Sequence, residues 1–336
     1  MCLLCTMAAG EHGSLRKNMA DRLTIGLDIG ATKMAFAVVD VAGTVLDETV
    51  LPTLSTQPYA QTVERIAAQL NTYLAEYPLI EGIGIGVPGP INREAGVVLN
   101  AVNLGWQNCP LRDDLLAHLT RTLPVYIEND VNVGLISEYF YGKAKDMTHC
   151  VYLAIGTGLG GAVIINDQLM RGATYMEMEI GHYAIDPVNG RQCTCGQRGC
   201  VEMSISGKGL VSNATAHHAD YPDTLIPVDD ITTYAIIEAA RHDDELATFV
   251  IDEAAEVLGQ LCAWCTMIFN PNLIVLGGGL SHGIYDLVIE KTRAEMRKHC
   301  LPQSYDAVSI ELSHSINAAM GASALVWYFQ KESQLS

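Results

Sequence analysis

No apolar stretch of the 336-residue chain approaches the roughly 20 residues that a membrane-spanning helix needs, and runs such as Cys150 to Ile155 and Leu273 to Leu276 stop far short. A soluble globular protein with no membrane partner is expected. Basic residues are scarce: Lys and Arg number 20 against 38 Asp and Glu, for a net charge of −18. A phosphate backbone demands a basic face, so nucleic acid is excluded as the main partner. Small anions are not excluded, because backbone amides in glycine turns and at helix N-termini are locally positive whatever the global charge. The N-terminus lacks a basic region followed by an uninterrupted apolar one. The ten cysteines are spread along the chain instead of forming a short, dense disulfide framework. A reducing, cytoplasmic setting is the expectation.

With 49% hydrophobic residues the chain is long enough for one large or two ordinary domains. Residues 1 to 22 lack apolar periodicity and read as a mobile tail, in which Met19 is a candidate start and Cys2 and Cys5 form a chance CxxC pair. Leu23 to Asp28 and Met34 to Val39 flank a glycine turn and predict a hairpin, completed to a meander by Thr44 to Thr49. Val63, Ile66, Ala67, Leu70 and Leu74 recur at helical spacing within Thr62 to Glu76, and Ile83 to Val87 reads as a buried strand. A comparable pattern restarts at Val151, runs into the turn Gly156 to Gly161 and returns through Ala162 to Ile165. The chain therefore reads as two related α/β domains, with a ligand cleft expected between them. Helical patterns follow at Ile231 to Arg241, Asp244 to Phe269 and His282 to His299, with a strand at Leu273 to Leu276. Polar Ser206 to Asp230 reads as a surface segment.

Three glycine turns stand out. Asp28-Ile-Gly-Ala-Thr-Lys33 is either an ordinary hairpin turn or a phosphate contact through Gly30, Thr32 and Lys33, with Asp28 positioning magnesium. Gly156-Thr-Gly-Leu-Gly-Gly161 lets backbone approach a ligand that any Cβ would exclude. It lacks the Gly-Lys-Ser/Thr ending of a P-loop and leads into a strand, which disfavours both P-loop and dinucleotide folds. Gly277, Gly278 and Gly279 open a helix and suit an α-phosphate or adenosine. Between the first two turns lies Glu128-Asn-Asp-Val-Asn132. Asp130 is either a helix N-cap or a carboxylate placed to take a proton from a hydroxyl. His182 with Cys193, Cys195 and Cys200 makes a Cys3His set suited to a closed tetrahedral zinc; the alternative, a disulfide, is disfavoured by C-x-C strain and a reducing compartment. Cys109, Cys150, Cys262, Cys265 and Cys300 read as core residues.

Taken together, these motifs resemble the ROK family of bacterial sugar kinases and repressors. The resemblance covers about residues 23 to 330. It rests on Asp28–Lys33, Gly86-Val-Pro-Gly89, Asn103-Leu-Gly-Trp106, Asn129-Asp-Val-Asn132, Gly156–Gly161, Glu179-Ile-Gly-His182, Cys193-Thr-Cys-Gly-Gln-Arg-Gly-Cys-Val-Glu202 and Leu276-Gly-Gly-Gly279, in the family's order. It implies an actin-like (ribonuclease H-like) two-domain α/β fold: residues 23–133, joined by a C-terminal helix at about 316–332, and residues 134–315 with the zinc motif. It implies ATP with Mg2+ as phosphoryl donor, bound by Asp28, Gly30, Thr32, Lys33, Gly156, Thr157, Gly158, Gly278 and Gly279. The sugar would meet Gly89, Asn103, Asn129, Asp130, Glu179, His182 and Glu202, with Asp130 as general base. His182, Cys193, Cys195 and Cys200 would hold a structural zinc, and a homodimer is expected. Asn103-Leu-Gly-Trp106 is most similar to the glucokinase branch, which puts glucose first, ahead of N-acetylmannosamine and N-acetylglucosamine. Tyr175, Met176, Glu177 and Met178 depart from the family's small residues. A sugar-responsive repressor is the competing function; only 27 residues precede Asp28, too few for a helix-turn-helix domain.

Overall fold

The computed structural model describes residues 22–314 and 317–335, so the expected tail lies outside it except for Arg22, as do Cys2 and Cys5. Arg22 is bound: its guanidinium makes two 2.7 Å bonds to Glu81 and stacks 4.7 Å above Trp327. The chain divides into two compact units, residues 1–145 with 315–336, and residues 146–314.

The first unit begins with β1 (Leu23–Ile29), β2 (Lys33–Asp40) and β3 (Val45–Pro52), the expected meander. The burial of β1 is nearly continuous, as befits a central strand, while β3 alternates between half-buried and exposed positions along one edge. Helix α1 (Tyr59–Glu76) buries Val63, Ile66, Ala67, Leu70 and Leu74, the helical stripe read from the sequence, and gives way before Pro78. Then come β4 (Ile80–Val87), the small antiparallel sheet β5 (Ile91–Asn92), β6 (Val97–Ala101) and β7 (Trp106–Cys109), helix α2 (Leu111–Leu116), β8 (Val125–Asn129) and helix α3 (Asp130–Tyr141). The main sheet has the order β3-β2-β1-β4-β8, with β4 parallel to both β1 and β8. The C-terminal helix, Ala318–Leu335, lies on this sheet so closely that a Cβ at Gly26 or Gly84 would fall 1.7 or 1.9 Å from the carbonyl oxygen of Ala319 or Ala322. Helix α3 belongs to this unit, where the sequence placed the division after Val133, because its Ser137 face packs against Gly321 of the C-terminal helix.

The second unit repeats the plan. Strands β9 (His149–Ile155), β10 (Leu159–Ile165) and β11 (Gln168–Leu169) form a meander. Helices α4 (Glu202–Ile205), α5 (Gly207–His217), α6 (Thr233–Ala240) and α7 (Glu245–Phe269) precede β12 (Leu273–Gly277). Helix α8 (Gly279–His299), the short α9 (Pro302–Ala307) and β13 (Ser309–Leu312) complete it. The sheet order β11-β10-β9-β12-β13, with β12 parallel to β9 and β13, matches that of the first unit strand for strand. The expected duplication is thus a duplication of topology. Helix α7 starts at the Asp244 N-cap, which accepts the Ala247 N–H at 2.9 Å, and ends at the left-handed Asn270 before Pro271. The segment Ser206–Asp230, expected at the surface, is largely exposed from residue 215 onward, but it opens with a helix that packs into the core. Ser206 caps α5, which buries Leu210, Asn213 and Ala214. The described cysteines are all free thiols; Cys150, Cys262 and Cys265 are buried, Cys109 and Cys300 only partly. No helix among the described residues is long and apolar enough to cross a membrane.

Candidate active site

In the first unit, the C-terminal ends of three neighbouring parallel strands carry the sequence-predicted groups. Asp28 of β1 is paired in register with Gly86 of β4, and Gly86 with Glu128 of β8. The first turn is stiffened by its own backbone, with Gly30 N–H donating to Lys33 O at 2.9 Å. Thr53 holds it from below, its hydroxyl donating to Gly30 O at 2.6 Å and its N–H to Thr32 O at 3.0 Å. The side chains of Thr32 and Lys33 are left exposed.

Asp130 is the first residue of α3, but the cap is Asn129, whose Oδ1 accepts the N–H groups of Val131 and Asn132. Asn129 also donates from Nδ2 to Gly89 O at 3.1 Å, so it joins Gly89 to the start of α3. Gly89 has φ +91°, and a Cβ there would lie 2.1 Å from Asn100 O. Glu128, which the sequence reading passed over, is buried and accepts both Asn129 N–H and Asn132 Nδ2 at 3.0 Å. Its signal was a carboxylate in an apolar strand immediately before the Asn-Asp pair. Asn103 stands on a 3-10 turn, Val102–Leu104, that ends at the left-handed Gly105; Trp106 behind it packs edge-on to Tyr59 at 5.1 Å.

Two carboxyl groups here are raised above their ordinary range. Asp28 sits at about 6, chiefly through burial, then through the negative charge of Asp130, with Lys33 opposing. Asp130 is raised by desolvation, against the N–H groups of Val131 and its own backbone and the Asn129 side chain, which favour the charged form. Its side chain nonetheless keeps a solvent-exposed surface.

In the second unit the turns Gly156–Gly161 and Gly277–Gly279 follow adjacent parallel strands, with Gly277 in register with Ala154. Gly278 has φ +86° and precedes the first turn of α8. A Cβ at Gly156 or Gly279 would meet nothing within 4 Å, so packing does not demand glycine there, and Thr157 is exposed. Open backbone at a helix N-terminus suits a phosphate. Gly158 differs: its Cβ would lie 2.6 Å from Glu202 Oε2, the same atom that accepts the Leu159 N–H at 3.0 Å.

The ligand atoms of His182, Cys193, Cys195 and Cys200 all lie within 4.8 Å of one another. Cys193 Sγ is 3.6 Å from His182 Nδ1, and Cys195 Sγ 3.6 Å from Cys200 Sγ. Two sulfurs about 2.3 Å from a shared tetrahedral zinc stand roughly 3.8 Å apart, so the four donors fit such an ion. Cys193 and Cys200 are buried and Cys195 exposed. Arg191 pins the loop, donating to Met203 O at 2.9 Å and pairing with Glu253 of α7.

Residues 24–328 match the ROK family. This chain belongs to the ROK family. It is 30% identical over 304 residues to a glucokinase of Halalkalibacterium halodurans, covering 88% of this chain and 91% of that one. It is 28% identical over 312 residues to a xylose repressor of Bacillus spizizenii, covering 90% and 76%. The crystal structure of a ROK glucokinase from Streptomyces griseus in complex with glucose and AMPPNP superposes with a TM-score of 0.72 at 31% identity, covering 90% of this chain and 98% of that one. The fold is the actin-like two-domain α/β fold of these sugar kinases.

Within this ROK chain, the segment Tyr175–Met178 is backbone-strained. Tyr175 and Met178 have φ +59° and +57°, a left-handed conformation unusual for bulky side chains. Glu177 accepts the Gly172 N–H at 3.0 Å and closes the loop, while the end of Met178 packs on Gly161 of the second turn. Glu179 is exposed next to it.

Proposed function

We propose that this ROK protein is an ATP-dependent kinase that phosphorylates a hexose hydroxyl, with glucose and its 6-hydroxyl first. The carrying observation is Asp130: the helix cap it would otherwise provide is supplied by Asn129, and its carboxylate is exposed at the end of β8 beside the first glycine turn. In this reading Asp130 accepts the proton of the attacking hydroxyl. Its raised pKa makes it a better base than a free aspartate, and Glu128 and Asn129 fix its backbone. On family resemblance, Gly89, Asn103, Asn129, Glu179, His182 and Glu202 are assigned to the sugar.

Thr32 and the Gly30 backbone, Gly156, Thr157 and Gly158, and Gly278 with Gly279 are assigned to the phosphates of ATP, with Lys33 adding attraction. Asp28 would hold Mg2+, which supplies charge neutralisation for the transferred phosphoryl group. Ionisation of Asp28 is disfavoured first by burial and then by Asp130, and a cation held there would favour the charged form. His182, Cys193, Cys195 and Cys200 would hold a structural zinc through His182 Nδ1. Because all four positions would be filled by protein donors, an ion held there would fix the orientation of the His182 ring and leave no open position for Lewis-acid chemistry. A homodimer is part of the proposal on family resemblance alone.

The test is ADP release with Mg-ATP across a panel of hexoses and N-acetylhexosamines, with mass spectrometry of the product. Fastest turnover on glucose is expected. Preference for N-acetylmannosamine or N-acetylglucosamine would reassign the sugar, and no ADP release with any sugar would favour a sugar-responsive repressor.

A further inference from the structure

We propose that Glu202 is a positioning residue that ties the metal loop, His182 and Cys193–Cys200, to the Gly156–Gly161 turn, so that the metal site holds nucleotide-binding backbone as well as the sugar-facing histidine. The inference rests on the reading of that turn as a nucleotide site. Glu202 is only 6% exposed, and a buried carboxylate requires a partner. Its partner is the Leu159 N–H, at 3.0 Å. The fit leaves no room for a side chain on Gly158.

The chain leaving Glu202 grips the same turn a second time. Ser206 caps α5 by accepting the Gly209 N–H at 3.2 Å, while the first two amides of that helix are given to the turn: Gly207 N–H to Gly156 O at 2.8 Å and Lys208 N–H to Thr157 O at 3.4 Å. At its other end this segment starts from a proposed metal ligand. Cys200 forms a β-bridge with Ala184, and Val201 N–H donates to Tyr183 O at 2.9 Å, fastening it to the residues that follow His182. Gly181 closes the circuit, since a Cβ there would lie 2.4 Å from Leu159 O. Leu159 is thus held through its N–H by the residue two beyond Cys200 and pressed at its carbonyl by the residue before His182. Both supports come from the metal loop.

The test compares Glu202→Ala with Glu202→Gln in the metal-loaded protein. The amide of Gln retains an oxygen that accepts the Leu159 N–H; Ala does not. Two readouts are taken without turnover: hydrogen exchange at the Leu159 amide, and AMPPNP affinity by calorimetry in the absence of sugar. For Glu202→Ala, Leu159 exchange is expected to accelerate and AMPPNP affinity to fall about tenfold, the scale of one charge-assisted hydrogen bond. For Glu202→Gln both stay near wild type. Removing the metal from wild-type protein with a chelator should also accelerate Leu159 exchange. Unchanged Leu159 exchange after chelation overturns the coupling, even if Glu202→Ala does not fold. Wild-type AMPPNP affinity in Glu202→Ala overturns it as well, provided Gly156→Val, which points a side chain into open space, weakens AMPPNP binding. If Gly156→Val binds AMPPNP normally, the nucleotide reading of the turn is wrong, and Leu159 exchange alone decides the positioning role.

Discussion

The turn from Asp28 to Lys33 closes a hairpin in the sheet β3-β2-β1-β4-β8, and the turn from Gly156 to Gly161 closes the matching hairpin of β11-β10-β9-β12-β13. Their surroundings differ. The first turn brings its own charges, Asp28 and Lys33, and is braced by Thr53 at the end of the neighbouring hairpin strand. The second has no ionisable side chain of its own and is held by Glu202 and the start of α5, which follow the loop that carries Cys193, Cys195 and Cys200. In the proposed function one topology would support two kinds of work. Beside the first turn, carboxylates with raised pKa values would move a proton and hold a cation; at the second, bare backbone can only be shaped, and long-range contacts shape it.

Four substitutions strain this contrast, the largest effect first. Asp130→Asn removes the proposed proton acceptor and should lower turnover by about 10²–10⁴-fold in an ADP-release assay, the usual range for a general base. Cys195→Ser acts on the other side. Metal analysis should find about one zinc per wild-type chain and markedly less in the variant, and the melting temperature should drop by about 5 °C. Exchange at the Gly30 amide of the first turn should not change, and a change there would break the separation of the two turns.

Asp28→Asn is a smaller perturbation whose sign depends on pH. Burial and Asp130 hold Asp28 at about 6 in the folded protein against 3.8 for the free side chain, so its ionisation opposes folding. That penalty is fully present above the folded value and disappears below the unfolded one. In metal-free buffer the variant should be more stable than wild type by roughly 1–2 kcal/mol at neutral pH, allowing for screening, and no more stable below about pH 4. Denaturant unfolding at the two pH values checks this. Thr53→Val, which deletes only the 2.6 Å bond to Gly30 O, should cost about 1 kcal/mol in the same measurement and leave zinc content at wild type.

Much of this was legible in the sequence where the determinants are local. The meander at Leu23, the stripe of α1, the Asn270-Pro271 stop and the clustering of His182, Cys193, Cys195 and Cys200 each rest on residues close together in the chain, so periodicity and spacing expose them. Ser206–Asp230 was legible only in its exposed second half; composition reports polarity, whereas α5 at its start is set by the Ser206 cap and by burial of Leu210 and Ala214. The bond from Leu159 to Glu202 spans 43 residues and leaves no spacing signal. Assignment of the cap to Asn129 and not Asp130 is likewise a matter of side-chain direction, which two adjacent cap-forming residues do not reveal.

In the proposed mechanism Asp130 acts as the base and does not merely bind the sugar. Calorimetric titration of the Asp130→Asn variant with whichever sugar the wild-type enzyme phosphorylates best separates the two, since Asn keeps the shape of the side chain but cannot take the proton. The sugar should bind within about threefold of wild-type affinity, because the shape and hydrogen-bonding reach of the side chain survive. A loss of sugar affinity as large as the loss of turnover would contradict the claim and make Asp130 a binding group only.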